Sequence, residues 1–258
     1  MKKRTLKRAI IACTLILTLC LTGCGLFPTN TSKLKQLLED KYGEEFGVES
    51  HYFAGDMWAM CYPESDPTLL FEVRTNAEVT KISHDYYLQT VVARQIEEEY
   101  APLVEQVFPG SYLSAEVWAV DYEGQTADKV TLESMLEYNN TIKSDNESGG
   151  YIVLNIFIDT SQISKENIER EYAFFKDDIG NQILNGNLMD TLIKLYFGDD
   201  IFVQECKSNI KDMTWHNSDI YAKTENSSRI WIGYDEYGEV DYTLDLYIEK
   251  RMEALNNE

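Results

Sequence analysis

The chain has 258 residues, of which 44% are apolar and 12% aromatic, enough to build one large packed domain or two smaller lobes and too apolar for a disordered chain. Its formal charge is −21, from 23 Lys/Arg against 44 Asp/Glu. Binding along a phosphate backbone needs clustered Lys/Arg, so nucleic acid is excluded as a partner; the electrostatic partners to expect are cations, basic peptides and basic protein surfaces.

The front of the chain has a composition of its own. Lys2, Lys3, Arg4, Lys7 and Arg8 precede an apolar run from Ala9 to Leu21, which ends in Leu21-Thr22-Gly23-Cys24. A run of about 13 residues spans only about 20 Å as a helix, against about 30 Å for a hydrocarbon core. Positive charge, a short apolar stretch and small residues at its end therefore predict a signal peptide over residues 1–23 rather than a membrane-spanning helix. Leu21-Thr22-Gly23-Cys24 resembles the lipobox of bacterial lipoproteins. The resemblance implies a diacylglycerol on the Cys24 thiol, cleavage just before Cys24, and a mature chain held on the outer face of the cell membrane. Loss of residues 1–23 removes five Lys/Arg and no Asp/Glu, so the charge from Cys24 onward is −26. Gly25 to Ser32 is polar and without period, so residues 24–32 read as lipidated N-terminus and tether, with a reach of under roughly 30 Å.

From residue 33 to 258 the pattern is that of a folded body. Ser32 is placed to cap a helix carrying Leu34, Leu37, Leu38 and Tyr42, with Gly43 as its stop. Three alternating runs follow as strands: Phe46, Val48 and Tyr52; Trp58, Met60 and Tyr62; Leu69, Phe71 and Val73. Pro63-Glu64-Ser65-Asp66-Pro67 reads as a hairpin-like connection between the last two. Asp85 to Phe108 is the strongest helix, with Pro102 expected to kink or divide it after Tyr100 and Pro109-Gly110 ending it. Tyr112 to Tyr122 alternates as a strand; the polar patch at 123–130 is the candidate boundary if there are two lobes. Thr131 to Tyr138 predicts a short helix, and 144–150 an exposed loop.

Tyr151 to Ile158 is apolar almost throughout, as a central strand covered on both faces would be. Ser164 caps a predicted helix with Ile168, Tyr172, Phe175, Ile179 and Ile183 on one face. Leu188 to Phe197 reads as a further helix stopped by Gly198, and Ile201 to Cys206 as a strand. Ile230-Trp231-Ile232 and Val240 to Ile248 flank a turn at 235–238 as a hairpin, although the last run fits a helix from Tyr242 as well. Helices interleaved with hairpin-linked strands predict an α+β fold, a mainly antiparallel sheet with packed helices, rather than a doubly wound one. The stretch Lys41 to Val48, with Tyr62-Pro63 and Phe71-Glu72-Val73, is similar to a pattern in small uncharacterised lipoproteins of Gram-positive bacteria, a resemblance that implies no activity.

Signatures of chemistry are sparse. The chain lacks G-x-S-x-G, H-E-x-x-H, dinucleotide and P-loop glycine patterns and C-x-x-C. His51, His84 and His216 are far apart, better read as surface or capping residues than as zinc ligands. Ser83-His84-Asp85 is adjacent in sequence, which a Ser-His-Asp triad is not, so Ser83 or Asp85 capping the next helix explains it better. Cys61 with a histidine could form a thiol nucleophile, but its place in an alternating strand favours packing or a bridge. Cys61 and Cys206 remain once Cys13, Cys20 and Cys24 are accounted for; they form either a disulfide closing a long loop or two buried thiols. Asp177-Asp178, Asp199-Asp200 and Asp235-Glu236 with Glu239 and Asp241 offer oxygen atoms to Ca²⁺, but none follows the twelve-residue calcium loop, so no metal site is assigned and the default is a solvated face. Trp231, Tyr234, Tyr237, Tyr242 and Tyr247 crowd the final hairpin, where they either pair across strands or stack on a ligand.

The sequence thus predicts a membrane-anchored extracellular lipoprotein acting as a non-enzymatic binding module, without cofactor or metal, attached to the membrane through its N-terminal lipid and facing a protein or cell-wall ligand. The alternative is a cell-wall-associated enzyme with an unrecognised site. A two-lobed solute-binding component is disfavoured by the short body.

Overall fold

A computed structural model of the chain describes residues 29–118, 126–143, 150–162, 167–181, 190–211, 229–234 and 244–256. The signal peptide, Cys24, most of the tether, Ser164, His216, the turn at 235–238 and nearly all of the 144–150 loop lie outside the described residues. Helix α1 spans Asn30–Tyr42 and leads into strands β1 (Phe46–Ala54), β2 (Asp56–Pro63), β3 (Phe71–Thr75) and β4 (Ile82–Asp85). Helix α2 (Tyr87–Val107) then crosses to β5 (Tyr112–Trp118), α3 (Leu132–Lys143) and β6 (Tyr151–Asp159). Helix α4 (Ile168–Ala173) continues as a π-helical turn over Phe174–Ile179. After it come β7 (Asp190–Gly198), α5 (Asp200–Lys211), β8 (Arg229–Tyr234) and α6 (Leu244–Asn256). The fold is α+β, and the described residues form six helices and two four-stranded sheets, ordered β1-β2-β3-β4 and β5-β6-β7-β8. Every strand pair is antiparallel except β6 with β7.

Local chemistry explains most boundaries. Helix α1 starts earlier than expected, because Thr29 rather than Ser32 is the cap: its hydroxyl accepts the Ser32 N–H at 3.1 Å. Gly43 ends it at φ +78, where a side chain would be strained. Helix α2 is not divided at Pro102. The proline lies on an exposed turn, where its lost backbone bond is least costly, while Tyr100 and Val104 on either side pack into the core. Thr131 and Ser134 cap α3 reciprocally, each backbone N–H bonding the other's hydroxyl at 2.9 and 3.1 Å.

In the first sheet both faces of β2 are apolar: Met57, Ala59 and Cys61 are buried, and Trp58, Met60 and Tyr62 sit half-buried opposite them. Gly47 is the one residue of β1 that admits the Tyr62 ring, since a Cβ there would overlap it. The β3–β4 loop is pinned by Asn76, whose side chain accepts the N–H groups of Thr80 and Lys81, and it presses Val79 into the core at φ +51. Residues 82–85 form a strand that the sequence pattern did not suggest.

The second sheet holds the largest departures. Residues 190–198 are a strand, not a helix, and residues 200–211 a helix, not a strand. β7 lies between β6 and β8 with Ile193, Leu195, Tyr196 and Phe197 all buried; a run apolar but for Lys194 and covered on both faces carries no period to distinguish it from a helix. Gly198 is no helix stop; it ends β7 against the Phe202 ring, which leaves no room for a Cβ. Asp199 caps α5, its carboxylate accepting the Phe202 N–H at 2.8 Å, and the helix buries Val203 and Cys206. The chain's end follows the helical alternative, as α6. β6 is central, as its apolar run predicts.

One core cluster runs from Leu34 and Phe46 through α2 to Ile152, Phe197 and Tyr247, joining the inner faces of both sheets. A smaller cluster of Phe157, Tyr196, Val203 and Cys206 lies beneath α5.

Candidate functional site

Helix α2 runs beside β5, the edge strand of the second sheet. Glu97 ties the two together: its carboxylate accepts the backbone N–H of Ala115 at 2.9 Å, so the open edge finds a side-chain acceptor. Between them lies a cleft of about 880 Å³, bounded also by Thr68 and Leu70 before β3 and by Lys207 of α5. Five carboxylates line it, Glu72, Glu97, Glu98, Glu105 and Glu116, against two cations, Arg94 and Lys207.

At the β5–β6 wall, Asn155 is 2% exposed and donates through Nδ2 to Glu116 Oε1 at 2.8 Å, while its Oδ1 has no partner among the described residues. A buried acceptor without a donor costs about 1–3 kcal/mol, and a ligand N–H would recover it. The phenol of Tyr112, also in the wall, is pushed above its ordinary range by burial and then by the Glu97 charge, so it stays a neutral donor.

The mouth is aromatic. Trp118, 42% exposed, bonds Glu116 Oε2 through Nε1 at 3.3 Å, stacks on Tyr151 at 5.9 Å, and meets the edge of Tyr86 at 6.3 Å. From Tyr86 a row continues over the first sheet: His84 against Tyr86 at 4.4 Å, Arg74 paired in register with His84, Arg74 over Trp58 at 4.5 Å, and Trp58 stacked on Tyr52 at 6.1 Å. Register dictates this row, since Tyr52, Trp58, Arg74 and His84 are successive cross-strand partners on one face. It joins the outer faces of the two sheets.

The residues singled out in the sequence fall elsewhere. Ser83, His84 and Asp85 alternate along β4: Ser83 Oγ donates to Arg74 O at 3.0 Å, His84 faces Tyr86, and buried Asp85 accepts from Tyr42 Oη at 2.6 Å and Lys41 Nζ at 2.7 Å. Asp85 also accepts the Tyr87 N–H at 3.3 Å, and so serves the start of α2. Cys61 and Cys206 are both buried thiols, Cys61 in the main core and Cys206 in the cluster under α5. Burial, reinforced by the Asp85 charge, pushes the Cys61 thiol up to about 12, the opposite of what a nucleophile needs. His51 is exposed on β1 against Phe53. Asp177 and Asp178 are exposed on the π-helical turn, and Asp199 is occupied as a cap. Among the described residues no three His, Cys, Asp or Glu are grouped to hold a metal.

Of the C-terminal aromatic crowd, Tyr247 is fully buried; its hydroxyl donates to Glu171 at 3.1 Å. Asp235, Glu236, Tyr237, Glu239, Asp241 and Tyr242 lie outside the described residues. Pattern reading missed the cleft because Glu97, Glu98 and Glu105 look like the solvated side of an amphipathic helix. The available signal was Asn155, a lone amide inside the apolar run Tyr151 to Ile158.

Neither the protein-family models nor the curated proteins yield a match to this chain. Among solved structures it is similar to a DUF5037 family protein from Ruminococcus gnavus ATCC 29149, at 17% identity and a TM-score of 0.60, over 87% of this chain and 99% of that one. It also matches a DUF1672 family protein from Staphylococcus aureus subsp. aureus Mu50, at 12% identity and a TM-score of 0.39, over 80% and 87% of the two chains. The first of these likenesses is one of fold.

Proposed function

We propose that the protein is a lipid-anchored extracellular binding module, not an enzyme, and that its ligand presents a cationic, hydrogen-donating group to the cleft between α2 and β5. The observation that carries this reading is the wall formed by Glu116 and Asn155: a carboxylate beside an amide oxygen without a partner among the described residues, which supply five carboxylates and two cations to the cleft. A protonated amine or guanidinium would donate to both oxygen atoms, and Tyr86 and Trp118 at the mouth would offer ring faces to its aliphatic or charged portion. A basic peptide or the basic surface of a protein suits this better than a neutral or anionic ligand. The lipobox-like Leu21-Thr22-Gly23-Cys24 supports the anchored, extracellular location.

Titration calorimetry of the chain from Cys24 onward with an arginine- and lysine-rich peptide tests the cleft. Saturable binding is expected, weakened on the order of tenfold by Glu116→Gln or Asn155→Leu and weakened further by salt. Equal binding by wild type and both variants would remove the cleft from the reading. Turnover of wall polymer or peptide substrates would replace it with the enzyme alternative. For the anchor, a fatty-acid probe fed to cells should label the wild type and leave Cys24→Ala unlabelled.

A further inference from the structure

We propose that the β1–β2 turn is a second point of membrane contact, which seats its aromatic side chains in the interface of the bilayer that holds the lipid anchor. This rests on the anchored reading of Cys24.

The turn residues are exposed on both faces of a projecting edge hairpin. From Glu49 to Gly55 every residue is exposed, with Tyr52 at 60% and Phe53 at 50%. Tyr52 stacks with Trp58 on one face, and Phe53 meets His51 on the other. Gly55, at φ +87, makes the tight reversal between Ala54 and Asp56. The one charged residue at the reversal, Asp56, is neutralised by Arg74, whose Nε and Nη2 reach it at 3.1 and 2.9 Å. An edge strand with an exposed aromatic tip and little net charge is a liability in water, and natural edges are usually charged or covered. Tyr, Trp and Phe with a polar margin are the residues that settle at a membrane–water interface.

The course of the chain indicates what covers it. Thr75 pairs with Met57, so the β3–β4 loop lies at the same end of the sheet as the Gly55 turn. Lys33, in the first turn of α1, donates to Glu78 O of that loop at 3.4 Å. The start of α1 therefore sits at the aromatic end of the sheet, while its C-terminus leads into β1 at the opposite end. From Cys24 to Thr29 an extended chain covers at most about 18 Å. An anchor on so short a leash holds this end of the sheet near the lipid, where tethering makes a weak contact effectively intramolecular. The acidic body argues for a neutral interface, since anionic headgroups would repel Glu49 and Glu78 nearby.

The test is hydrogen exchange on phosphatidylcholine vesicles, in two arms. One uses the natively lipidated protein; the other uses the chain from Cys24, coupled through the Cys24 thiol to a maleimide lipid, with Cys61 and Cys206 too buried to compete. In both arms, amides of residues 52–57 are expected to exchange several-fold more slowly than in the untethered chain. Amides of 64–68, at the other end of the sheet, should be unchanged. Tyr52→Asp with Phe53→Asp should abolish the slowing, because burial of two rings favours the seated orientation by at least tenfold. Unchanged exchange at 52–57 in the maleimide arm overturns the proposal whatever the fate of Cys24 in cells. Slowing in that arm with no lipid found on the native protein would overturn the anchored reading and leave the turn's affinity for lipid standing.

Discussion

At the residue scale, Arg251 is the least expected feature of the molecule. It is fully buried, forks onto Glu171 at 2.7 and 2.9 Å, and lies over the Phe197 ring at 4.4 Å. Burial works against its charge, and the Glu171 carboxylate outweighs that and holds the guanidinium above its ordinary range. The Tyr247 hydroxyl, pushed far up by burial and by Glu171, completes the group as a neutral donor. Nothing in the sequence points to this cluster, since Glu171 lies 76 and 80 positions from Tyr247 and Arg251 and each looks like a helix-surface residue. Breaking it leaves a buried unpaired charge, so Glu171→Gln should cost about 3–5 kcal/mol in urea denaturation. Glu171→Leu combined with Arg251→Met should recover most of that, because an apolar pair of similar volume needs no compensation. Cys61 gives a second prediction. Its folded pKa near 12 lies above the ordinary 9.0, so its contribution is complete below about pH 9 and is lost as pH rises towards 12, where the unfolded thiol ionises and the folded one does not. Stability should therefore fall above pH 9 by up to about 1.4 kcal/mol per pH unit from this group, less steeply in Cys61→Ala. Below pH 9, maleimide should leave both thiols of the folded protein untouched, and should label both in denaturant without reductant.

At the element scale, the sequence speaks clearly where a period exists and one face is wet. The amphipathic α1 and α2 follow their patterns, and β2 and β6 are strands as read although both faces of each are largely apolar. Where a segment is covered on every side the period vanishes, and at β7 propensity then misleads. β7 and α5 exchanged their expected identities because Leu192 to Phe197 is apolar at every position but Lys194, while Ile201 to Cys206 is short and β-branched at both 201 and 203. Asp199 was the informative residue, read as a calcium candidate although an acidic residue before an apolar run is first of all a helix cap. The cleft was illegible for a related reason: its walls come from α2, β5 and β6, and only the crossover of α2 from one sheet to the other brings them together. The β7–α5 junction can be tested directly. A Cβ at Gly198 would strike the Phe202 ring, so Gly198→Ala should destabilise by about 1–3 kcal/mol, and Phe202→Ala in the same chain should restore part of it. An unchanged melting temperature in Gly198→Ala would show that the ring moves aside freely.

At the scale of the whole molecule, two opposing quantities meet, a shared core and a large charge. Helix α2 contributes Leu88, Val92, Ile96 and Val104 to a cluster that also holds Phe71 of the first sheet and Ile152 of the second. Neither sheet then buries its inner face without the other, which predicts one cooperative unfolding transition, coincident by tryptophan fluorescence and far-ultraviolet dichroism. Two separated transitions would instead divide the chain into independently folding lobes. Against this core acts the charge of −26 carried from Cys24 onward. Like charges repel more strongly in the folded state, where they are held closer together, than in the expanded chain, so repulsion lowers stability at low ionic strength. Raising NaCl shortens the screening length from about 30 Å at 0.01 M to about 8 Å at 0.15 M. The melting temperature should therefore rise over that range and flatten beyond it. The same salt should weaken a basic peptide in the cleft, because its attraction comes from the carboxylates that repel one another. Stability and affinity moving in opposite directions over one salt series is the expected result. If both fall together as salt rises, the ion pairs such as Lys41 with Asp85 outweigh the net charge, and the acidic surface is not what limits stability.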